Sequence, residues 1–240
     1  MEFPFLTVNV AVYNQLDKLK VILEALKQQT YQNFEVIVTD DGSSDGTKEW
    51  MTKEHSDIQY FWQEDKGFRL ALIKNWAINH GKGDYFLSLE GDIIPSKYLL
   101  EAYIPYLAPN LMLYGVRHDI KKLPQGDTLD FNLLDSLITS YDWRWPYLHD
   151  FETIDKPWRI CSGCNLMLPM KELREVGGWD ETFVKYGGDD IELAVRMWAH
   201  GTRIKPVVNA YAYHVAHKIN PENKDNTDKW MKREMEVGLA

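Results

Sequence analysis

Residues 34–46 read Phe-Glu-Val-Ile-Val-Thr-Asp-Asp-Gly-Ser-Ser-Asp-Gly, and this stretch decides the fold class. Its apolar centre, Val36-Ile37-Val38, is typical of a strand that is covered on both faces of a sheet. Asp40 and Asp41 close the strand, and the glycine- and serine-rich residues that follow indicate a turn. The stretch therefore predicts a buried strand that delivers two carboxylates to the edge of a sheet.

Two further acidic segments lie in comparable positions. The apolar run 85–89 ends at Glu90-Gly91-Asp92, and Asp189-Asp190 follows the pair Gly187-Gly188 at the start of a helical pattern. In an open α/β sheet, ligands bind in the crevice beyond the carboxyl ends of the strands. Carboxylates gathered there repel one another unless a cation or a proton holds them together. The pattern predicts a hard metal ion and a phosphorylated ligand.

Strand and helix patterns alternate through the first half of the chain, which predicts an α/β fold with a Rossmann-like, mostly parallel central sheet flanked by helices. Asn14 and Asp45 are the predicted caps of the first two helices. The predicted strands cover 6–13, 34–39, 58–62, 85–89 and 111–116, and the predicted helices include 46–55, 70–80 and 97–107 besides a first one whose apolar residues run from Leu16 to Leu26.

The pattern loosens from Arg117 to Lys156, where a short helix is predicted at 129–139. No internal repeat or linker is visible, so we expect a single domain over 1–240, with a first half at 1–116, a variable second half at 117–217 and a polar tail at 218–240. The later predicted elements are strands at 165–168 and 207–213 and helices at 170–176, 190–200 and 228–236.

Composition narrows the class of protein. Apolar residues make up 45% of the 240 residues, which is typical of a packed globular chain. The formal net charge of −9 argues against duplex nucleic acid as a partner, because that binding depends on clustered Lys and Arg. No apolar run approaches the ~20 residues that span a bilayer, and no signal peptide is visible. These features predict a cytoplasmic protein without stable membrane insertion.

The only cysteines, Cys161 and Cys164, flank Ser162-Gly163. Two cysteines without a nearby His pair cannot supply the four ligands of a structural zinc site. A redox pair is the alternative, but the usual setting of such a pair at a helix start is missing. We therefore expect two small, buried, reduced side chains.

Glu90 and Asp92 are the first candidates for metal chemistry. Mg²⁺ and Mn²⁺ prefer oxygen ligands, and Mg²⁺ is usually held by one or two carboxylates together with substrate phosphates. A cation at this strand end would bridge a diphosphate and stabilise its charge when the bond to a sugar breaks. A solvated acidic turn is the alternative interpretation.

The chain resembles the family-2 glycosyltransferases of the GT-A fold over most of its length. The resemblance rests on Val8 to Asn14, on Gln29 to Glu35, on the turn Asp40 to Thr47, and on Lys66-Gly67-Phe68-Arg69 with Asn75. Glu90-Gly91-Asp92 is similar to the Asp-x-Asp motif of that family, with Glu in place of the first Asp. This departure affects the role of Glu90 more than that of Asp92.

The resemblance implies a set of donor-site residues. Asp92 carries the direct bond to Mn²⁺ or Mg²⁺, and a His after the last strand completes the metal site. His214 is the better match for that His, His217 is the fallback, and a surface His is the alternative. The residues implied to bind the nucleotide-sugar are Ala11, Tyr13, Asp41, Arg69, Glu90 and Gly91.

The second half is similar to the acceptor signature of inverting galactosyltransferase and chondroitin-polymerase types, through Gly177-Gly178-Trp179-Asp180 and Gly187-Gly188-Asp189-Asp190. This implies that Asp190 removes the acceptor hydroxyl proton and that Asp189 orients or binds the acceptor. Trp179 is predicted to be an acceptor platform, because an aromatic face stacks against the apolar face of a sugar. Helix capping is the alternative for the two Asp residues, and core packing is the alternative for Trp179. The aromatic segment 141–147 is interpreted either as a lid or acceptor wall or as packing.

These features predict a metal-dependent, inverting glycosyltransferase of hexosyltransferase type that acts in polysaccharide biosynthesis. Its predicted donor is a nucleotide-sugar, most simply a UDP-sugar, and its acceptor a hydroxyl of a glycan or lipid-linked saccharide. Two rivals remain: a non-catalytic nucleotide- or glycan-binding module, and a sugar nucleotidyltransferase. The second would carry a basic, Gly-rich phosphate loop after the first strand, where this chain has Tyr13 to Asp17.

Overall fold

Four parallel strands form the first half of a nine-stranded sheet. The structure, a computed structural model, describes residues 3–123, 129–148, 151–216 and 227–239. The strands are Leu6–Val12 (β1), Phe34–Asp40 (β2), Gln59–Trp62 (β3), Tyr85–Glu90 (β4), Ile93–Pro95 (β5), Leu111–Ile120 (β6), Ile138–Ser140 (β7), Asn165–Pro169 (β8) and Arg203–Val215 (β9).

Helices connect the parallel strands, and further helices alternate with the strands of the second half. The α-helices are Leu16–Lys27 (α1), Thr47–Glu54 (α2), Leu70–His80 (α3), Leu99–Tyr103 (α4), Phe131–Ser136 (α5), Trp145–Leu148 (α6), Met170–Glu175 (α7), Asp189–Ala199 (α8) and Thr227–Glu236 (α9), with 3₁₀ turns at Ile104–Tyr106, Phe151–Thr153 and Pro157–Ile160. No helix in these described ranges is long and apolar enough to cross a bilayer.

The strand order is β3-β2-β1-β4-β8-β6-β9-β5, with β7 paired to β6. Strands β1 to β4 pair in parallel, and β6 and β9 also run parallel. Antiparallel pairs enter where β8 joins β4 and β6 and where β5 joins β9. The predicted α/β fold with a mostly parallel sheet is confirmed. The antiparallel pairs are a feature that the sequence patterns did not predict.

Both faces of the sheet are covered, as the apolar strands predict. On one face α1 buries Leu19, Ile22, Leu23 and Leu26 against Val8 and Val10 of β1. Each such side chain contributes about 1.5–3 kcal/mol when it is fully buried. On the other face α3, α7 and α8 pack against Phe86, Leu166 and Leu168.

The turn after β2 connects the starts of α1 and α2. Its hydrogen bonds show that one of the two predicted helix caps is wrong. Asn14 has a φ of 50°, and its Oδ1 accepts a hydrogen bond from Ser44 N, so it does not cap α1. Asp45 reaches across instead: its Oδ2 accepts from Leu16 N at 2.9 Å, and its Oδ1 accepts from Thr47 N at the start of α2. One aspartate thereby fixes the starts of both helices.

The C-terminal helix α9 is present as predicted, and it packs against the body of the domain. Glu234 is 2% exposed and accepts hydrogen bonds from Trp158 Nε1 and from Arg159. Arg233 Nε lies 2.8 Å from Glu192 of α8. Residues 227–236 are therefore an integral element of the fold, which the description of 218–240 as a polar tail does not capture.

Candidate active site

A pocket of about 510 Å³ opens at the carboxyl ends of β1, β2 and β4. Strand ends and the loops after them line the pocket, and Val184 and Tyr186, from the loop before α8, form its opposite wall. Six of the residues proposed from the sequence line this pocket: Ala11, Tyr13, Asp41, Glu90, Gly91 and Asp92. The crevice expected at the strand ends is therefore present, and it contains most of the expected donor-site residues.

Asp40 and Asp41 have separate surroundings. Asp40 is fully buried; its Oδ1 accepts from Ser43 N at 2.7 Å and its Oδ2 accepts from Tyr60 Oη at 2.6 Å. Its carboxylate therefore shapes the turn. Asp41 lines the pocket, with Oδ2 accepting from Arg69 N at 2.7 Å and Oδ1 accepting from Gln63 Nε2 at 2.5 Å. Burial raises the pKa of Asp41, and these two hydrogen bonds oppose the shift.

Arg69 lies beside the pocket, whereas its neighbours Phe68 and Leu70 line it. Its Nε is 3.9 Å from Asp41 Oδ1, and its Nη2 donates to the carbonyl of Glu64. The guanidinium therefore supports the Asp41 loop in this structure. A direct contact between Arg69 and a nucleotide stays a prediction.

Asp92 and His214 come together because β5 pairs antiparallel with β9, with Ile93 opposite His214. Asp92 Oδ2 lies 3.7 Å from His214 Nε2, and His214 Nδ1 lies 2.7 Å from Asp119 Oδ1. A carboxylate on one ring nitrogen fixes the tautomer that offers the other nitrogen to a metal. His217 lies outside the described residues.

Asp92 and His214 suit a cation that is bound partly by substrate. The facing oxygen and nitrogen atoms are donors that Mn²⁺ accepts, and their separation lets one ion lie between them. Within the described ranges, no group of three or more His, Cys, Asp or Glu residues converges on one point. Two protein ligands completed by phosphate oxygens is the usual arrangement for Mg²⁺. The residues present therefore fit a metal held jointly with a phosphorylated ligand.

Asp190 is held by three groups from distant parts of the chain. Its Oδ2 accepts from Gly163 N at 2.7 Å, and its Oδ1 accepts from Trp179 Nε1 at 3.0 Å. Lys74 Nζ, on α3, lies 3.5 Å from Asp190 Oδ1. These contacts fix the carboxylate in one orientation and leave lone pairs for a further partner.

Trp179 has a different role from the predicted one. Its side chain is 1% exposed and packs near Phe86, so neither face of the indole is open to a sugar in this conformation. The stacking-platform prediction is wrong for this reason. Asn75 fixes the residue through its backbone: Asn75 Nδ2 donates to Trp179 O at 2.8 Å, and Trp179 N donates to Asn75 Oδ1 at 2.8 Å. Trp179 is therefore a buried support for Asp190.

Helix α8 begins at Asp189, after two glycines in the left-handed region. Gly187 has a φ of 93° and Gly188 a φ of 86°, values that residues with a side chain rarely adopt. Asp189 is 4% exposed, and its Oδ2 has no hydrogen-bond partner among the described residues. Burial, with the charge of Asp190 next to it, raises the pKa of Asp189 to about 7. The N-cap is Gly188 and no side chain in the described part of the chain caps the helix, so the capping alternative is wrong; Asp189 and Asp190 lie in the first turn, where negative charge favours the helix dipole.

Protein stability is expected to fall between about pH 4 and pH 7 because of Asp189. A carboxyl whose pKa is raised to about 7 in the folded state keeps its proton there while the unfolded chain has lost it, so its contribution disappears as the pH rises. Asp189→Asn should remove roughly 2 kcal/mol of this dependence, since one pKa unit corresponds to about 1.4 kcal/mol and the neighbouring groups respond together. Urea unfolding at pH 5, 6.5 and 8 measures the effect. An unchanged pH dependence in the variant would contradict it.

The two cysteines are buried and free, as expected for small packed side chains. Burial raises the pKa of both thiols, which disfavours the reactive thiolate. Of the two residues between them, Gly163 is the one near the site: a Cβ there would lie 2.2 Å from Asp190 Oδ1. The backbone of loop 161–164 therefore packs directly against the Asp190 carboxylate, and no side chain at position 163 fits without movement.

The segment 141–147 alternates between buried polar and exposed aromatic side chains. Arg144 is 1% exposed and forms a bidentate pair with Asp142, whose Oδ2 also accepts from Arg117 N in β6. The aromatic side chains between and beside this pair are exposed by 37–67%: Tyr141, Trp143, Trp145 and Tyr147. Burial of the ion pair anchors the segment, and the aromatic rings form its outer surface.

Three residues of the site were missed by sequence reasoning. Lys74 carries a sequence signal, since it is a charged residue within the apolar run of α3. Asp119 and Gly163 carry none, because their roles depend on contacts with His214 and Asp190 in distant elements.

Comparison with known proteins agrees with this geometry. Residues 7–177 match the family described as glycosyl transferase family 2, and residues 149–218 match the N-terminal domain of galactosyltransferase. Chondroitin synthase of Escherichia coli is 30% identical over 98% of this chain and 38% of its own length. Hyaluronan synthase of Pasteurella multocida is 29% identical over 93% of this chain and 25% of its own length. The chain thus spans well under half of these relatives.

Solved structures share the fold. The mannosyltransferase PcManGT from Pyrobaculum calidifontis, in complex with GDP-Man and Mn²⁺, has a TM-score of 0.62 at 19% identity, over 97% of this chain and 61% of that one. GalNAc-T7 with UDP, GalNAc and Mn²⁺ has a TM-score of 0.67 at 15% identity, over 90% of this chain and 44% of that one. The family match covers most of the chain, and Asp41, Glu90 and Asp92 line one pocket. The chain belongs to glycosyl transferase family 2 and has the GT-A fold.

Proposed function

We propose that this glycosyltransferase transfers a hexose from a UDP-sugar, with a divalent metal ion and with inversion at the anomeric carbon. The acceptor is a hydroxyl of a glycan or of a lipid-linked saccharide. One observation carries the proposal: Asp41, Glu90 and Asp92 line a single pocket, and Lys74 links Glu90 to Asp190 outside that pocket through contacts of 3.6 and 3.5 Å. Donor-side and acceptor-side carboxylates are therefore neighbours.

The donor is held at the end of β2 and by the loop after β1. Asp41 has lone pairs besides those used by Arg69 N and Gln63, and a carboxylate at this position accepts a hydrogen bond from a base N–H. Ala11 and Tyr13 line the same wall and bound the base, and Gly91 contributes backbone without a side chain. A Cβ on Gly91 would lie 2.2 Å from Gln15 Oε1, so no larger residue fits there without movement.

Asp92 and His214 would hold the metal, with Asp119 orienting the imidazole. A bound Mn²⁺ or Mg²⁺ would neutralise charge on the donor diphosphate. The relatives of this fold crystallised with Mn²⁺ support this assignment.

Asp190 serves as the general base in one displacement. The acceptor oxygen forms a bond to the anomeric carbon, the bond from that carbon to the diphosphate oxygen breaks, and the acceptor proton passes to the Asp190 carboxylate. The nucleoside diphosphate leaves with the bonding electron pair. A single displacement of this kind inverts the anomeric carbon. Gly163 N–H and Trp179 Nε1–H keep the carboxylate oriented for this step.

Similarity to chondroitin and hyaluronan synthases supports a saccharide acceptor. Aromatic side chains pack on the apolar faces of sugars, and the segment 141–147 offers three rings that are at least half exposed. We assign this segment to the acceptor side and Asp189 to acceptor orientation.

The test is a thermal-shift screen with UDP, GDP, CMP and dTDP, each in Mn²⁺ and in EDTA. Metal-dependent stabilisation by UDP alone is expected, because a ligand that binds only the folded state raises its stability by mass action. Asp41→Asn should weaken the response, whereas Asp57→Asn, an exposed residue outside the pocket, should not. Product analysis with UDP-sugars then separates the rivals: UDP binding without transfer would indicate a non-catalytic module. No response to any nucleotide would overturn the donor assignment.

Gly163→Ala is expected to lower kcat by roughly 10–100-fold with little change in UDP-dependent stabilisation. Its Cβ would lie 2.6 Å from Asp190 Cγ, so the carboxylate has to move, and small misplacements of catalytic groups cost up to about 10²-fold. Steady-state transfer rates measure the effect. Ser162→Ala in the same loop is the control, since Ser162 Oγ contacts Cys164 rather than Asp190. Wild-type kcat in Gly163→Ala would contradict the role of this loop.

A further inference from the structure

Lys74 is a fully buried charge in the middle of α3, and it is not among the residues on which the family resemblance rests. Its Nζ lies 3.6 Å from Glu90 Oε1 and 3.5 Å from Asp190 Oδ1, and its side chain is 0% exposed. The ammonium also lies 4.9 Å from the centre of the Trp179 ring, on the electron-rich face. Two carboxylates and an indole therefore surround the three ammonium protons.

The position of Lys74 links the two halves of the site. Glu90 ends β4 and lines the donor pocket, whereas Asp190 lies in the first turn of α8, 116 residues beyond Lys74 in the sequence. The next residue of α3, Asn75, holds the backbone of Trp179 through two hydrogen bonds. One turn of α3 thus fixes both Asp190 and the indole that donates to it.

Burial alone would lower the pKa of Lys74, but the charges of Asp190 and Glu90 outweigh burial and raise it. The effect is reciprocal: Lys74 opposes the rise that burial and the charge of Asp190 cause in the pKa of Asp189. A buried carboxylate next to others would otherwise keep its proton. The titratable groups that interact with Asp190 are Lys74 from α3, Glu90 from β4, Asp189 from α8, Cys161 from the loop before β8 and Tyr186 from the loop before α8.

We propose that Lys74 is a positioning residue: its ammonium ties Asp190 to Glu90 and holds the Asp190 carboxylate in place beside the donor pocket. The catalytic meaning of this bridge rests on the proposed function, in which Asp190 accepts the acceptor proton. The bridge itself is a property of the protein without substrate, so it can be tested without a donor.

Trp179 supplies the readout, because its indole N–H donates to Asp190 Oδ1 at 3.0 Å. The indole ¹H–¹⁵N resonance of Trp179, assigned by its loss in Trp179→Phe, is followed from pH 4 to 9 in EDTA. Its titration midpoint reports the protonation of two neighbouring carboxylates, Asp190, which accepts the indole N–H, and Asp189. The proteins compared are the wild type, Lys74→Met, Lys74→Arg and the control Lys171→Met, whose lysine is 81% exposed on α7.

Lys74→Met is expected to raise the midpoint by about 1–3 pH units, because an opposite charge at this distance favours the ionised carboxylate by that amount. Lys74→Arg, which keeps the charge, and Lys171→Met should stay near the wild-type midpoint. A merely structural role for Lys74 would change the resonance or the stability without shifting the midpoint. Equal midpoints in the wild type and Lys74→Met would overturn the proposal.

Glu90→Gln gives an independent measurement if Lys74→Met does not fold. Removing the second carboxylate leaves Lys74 to Asp190 alone and takes away a negative neighbour, so the midpoint should move down. An unchanged or raised midpoint in Glu90→Gln would contradict the bridge. Because no nucleotide or sugar enters the experiment, its outcome is separate from that of the nucleotide screen.

Discussion

Asp190→Asn is expected to lower kcat by about 10²–10⁴-fold, the range that a positioned general base contributes. The amide keeps the size of the side chain but cannot take the acceptor proton. It also places an NH₂ group against either Gly163 N–H or Trp179 Nε1–H, both of which donate to the carboxylate. Loss of the base and a mismatch of donors therefore act in the same direction.

Two measurements distinguish this effect from a folding defect. Transfer rates with the UDP-sugar identified by product analysis give kcat, and the UDP-dependent thermal shift in Mn²⁺ gives the state of the donor pocket. The shift should persist, since Asp190 does not line that pocket. Asp57→Asn, an exposed residue before β3, is the matched control. Activity of Asp190→Asn within tenfold of the wild type would exclude Asp190 as the base.

Arg144→Ala is expected to destabilise the protein by about 3–5 kcal/mol, the usual cost of removing one partner of a buried ion pair. Arg144 Nε and Nη2 lie 2.9 and 2.5 Å from the two oxygens of Asp142, and Nη2 also donates to the carbonyl of Gly115. Truncation leaves the Asp142 carboxylate buried without its counter-charge. The loss should appear as a lower urea midpoint with an unchanged slope.

The neighbouring residue provides a sharp comparison. Trp143→Ala removes a larger side chain but one that is 55% exposed, so its stability should change by only about 0.5 kcal/mol. The double variant Asp142→Ala/Arg144→Ala should cost less than the sum of the single variants, because no charge is left alone. A cost below about 1 kcal/mol for Arg144→Ala would contradict the anchoring role of the pair.

Local patterns predicted the first half of this protein well. Helix α3 has its predicted bounds, and β2 ends at Asp40, one residue beyond the predicted end. Both elements carry a strong periodic or continuous apolar signal, and their ends coincide with Gly and Asp residues that favour turns. Asp41, Glu90 and Asp92 then meet in one pocket because parallel strands share a carboxyl edge, whereas Asp40 is buried in the turn.

The rest of the fold and site depends on contacts between distant segments, and these limited what could be predicted. Strand β5 has only three residues, too few to show a period, yet its pairing with β9 brings Asp92 to His214. The aromatic side chain of Trp179 could have served as a sugar platform. Only its packing, with Lys74 of α3 over its ring, shows that it is a buried hydrogen-bond donor to Asp190. Such roles depend on which distant segment covers a residue, and a single sequence does not contain that information.

The alternation in segment 141–147 divides two tasks between neighbouring positions. Asp142 and Arg144 hold the segment to β6 from the inside, whereas Tyr141, Trp143 and Tyr147 are each at least half exposed. Under the proposed acceptor role, the outward rings can be exchanged without loosening the anchor, so that acceptor choice can change on one scaffold. A combinatorial library restricted to those three outward positions would retain folded members at high frequency, and it would test whether this segment selects the saccharide acceptor.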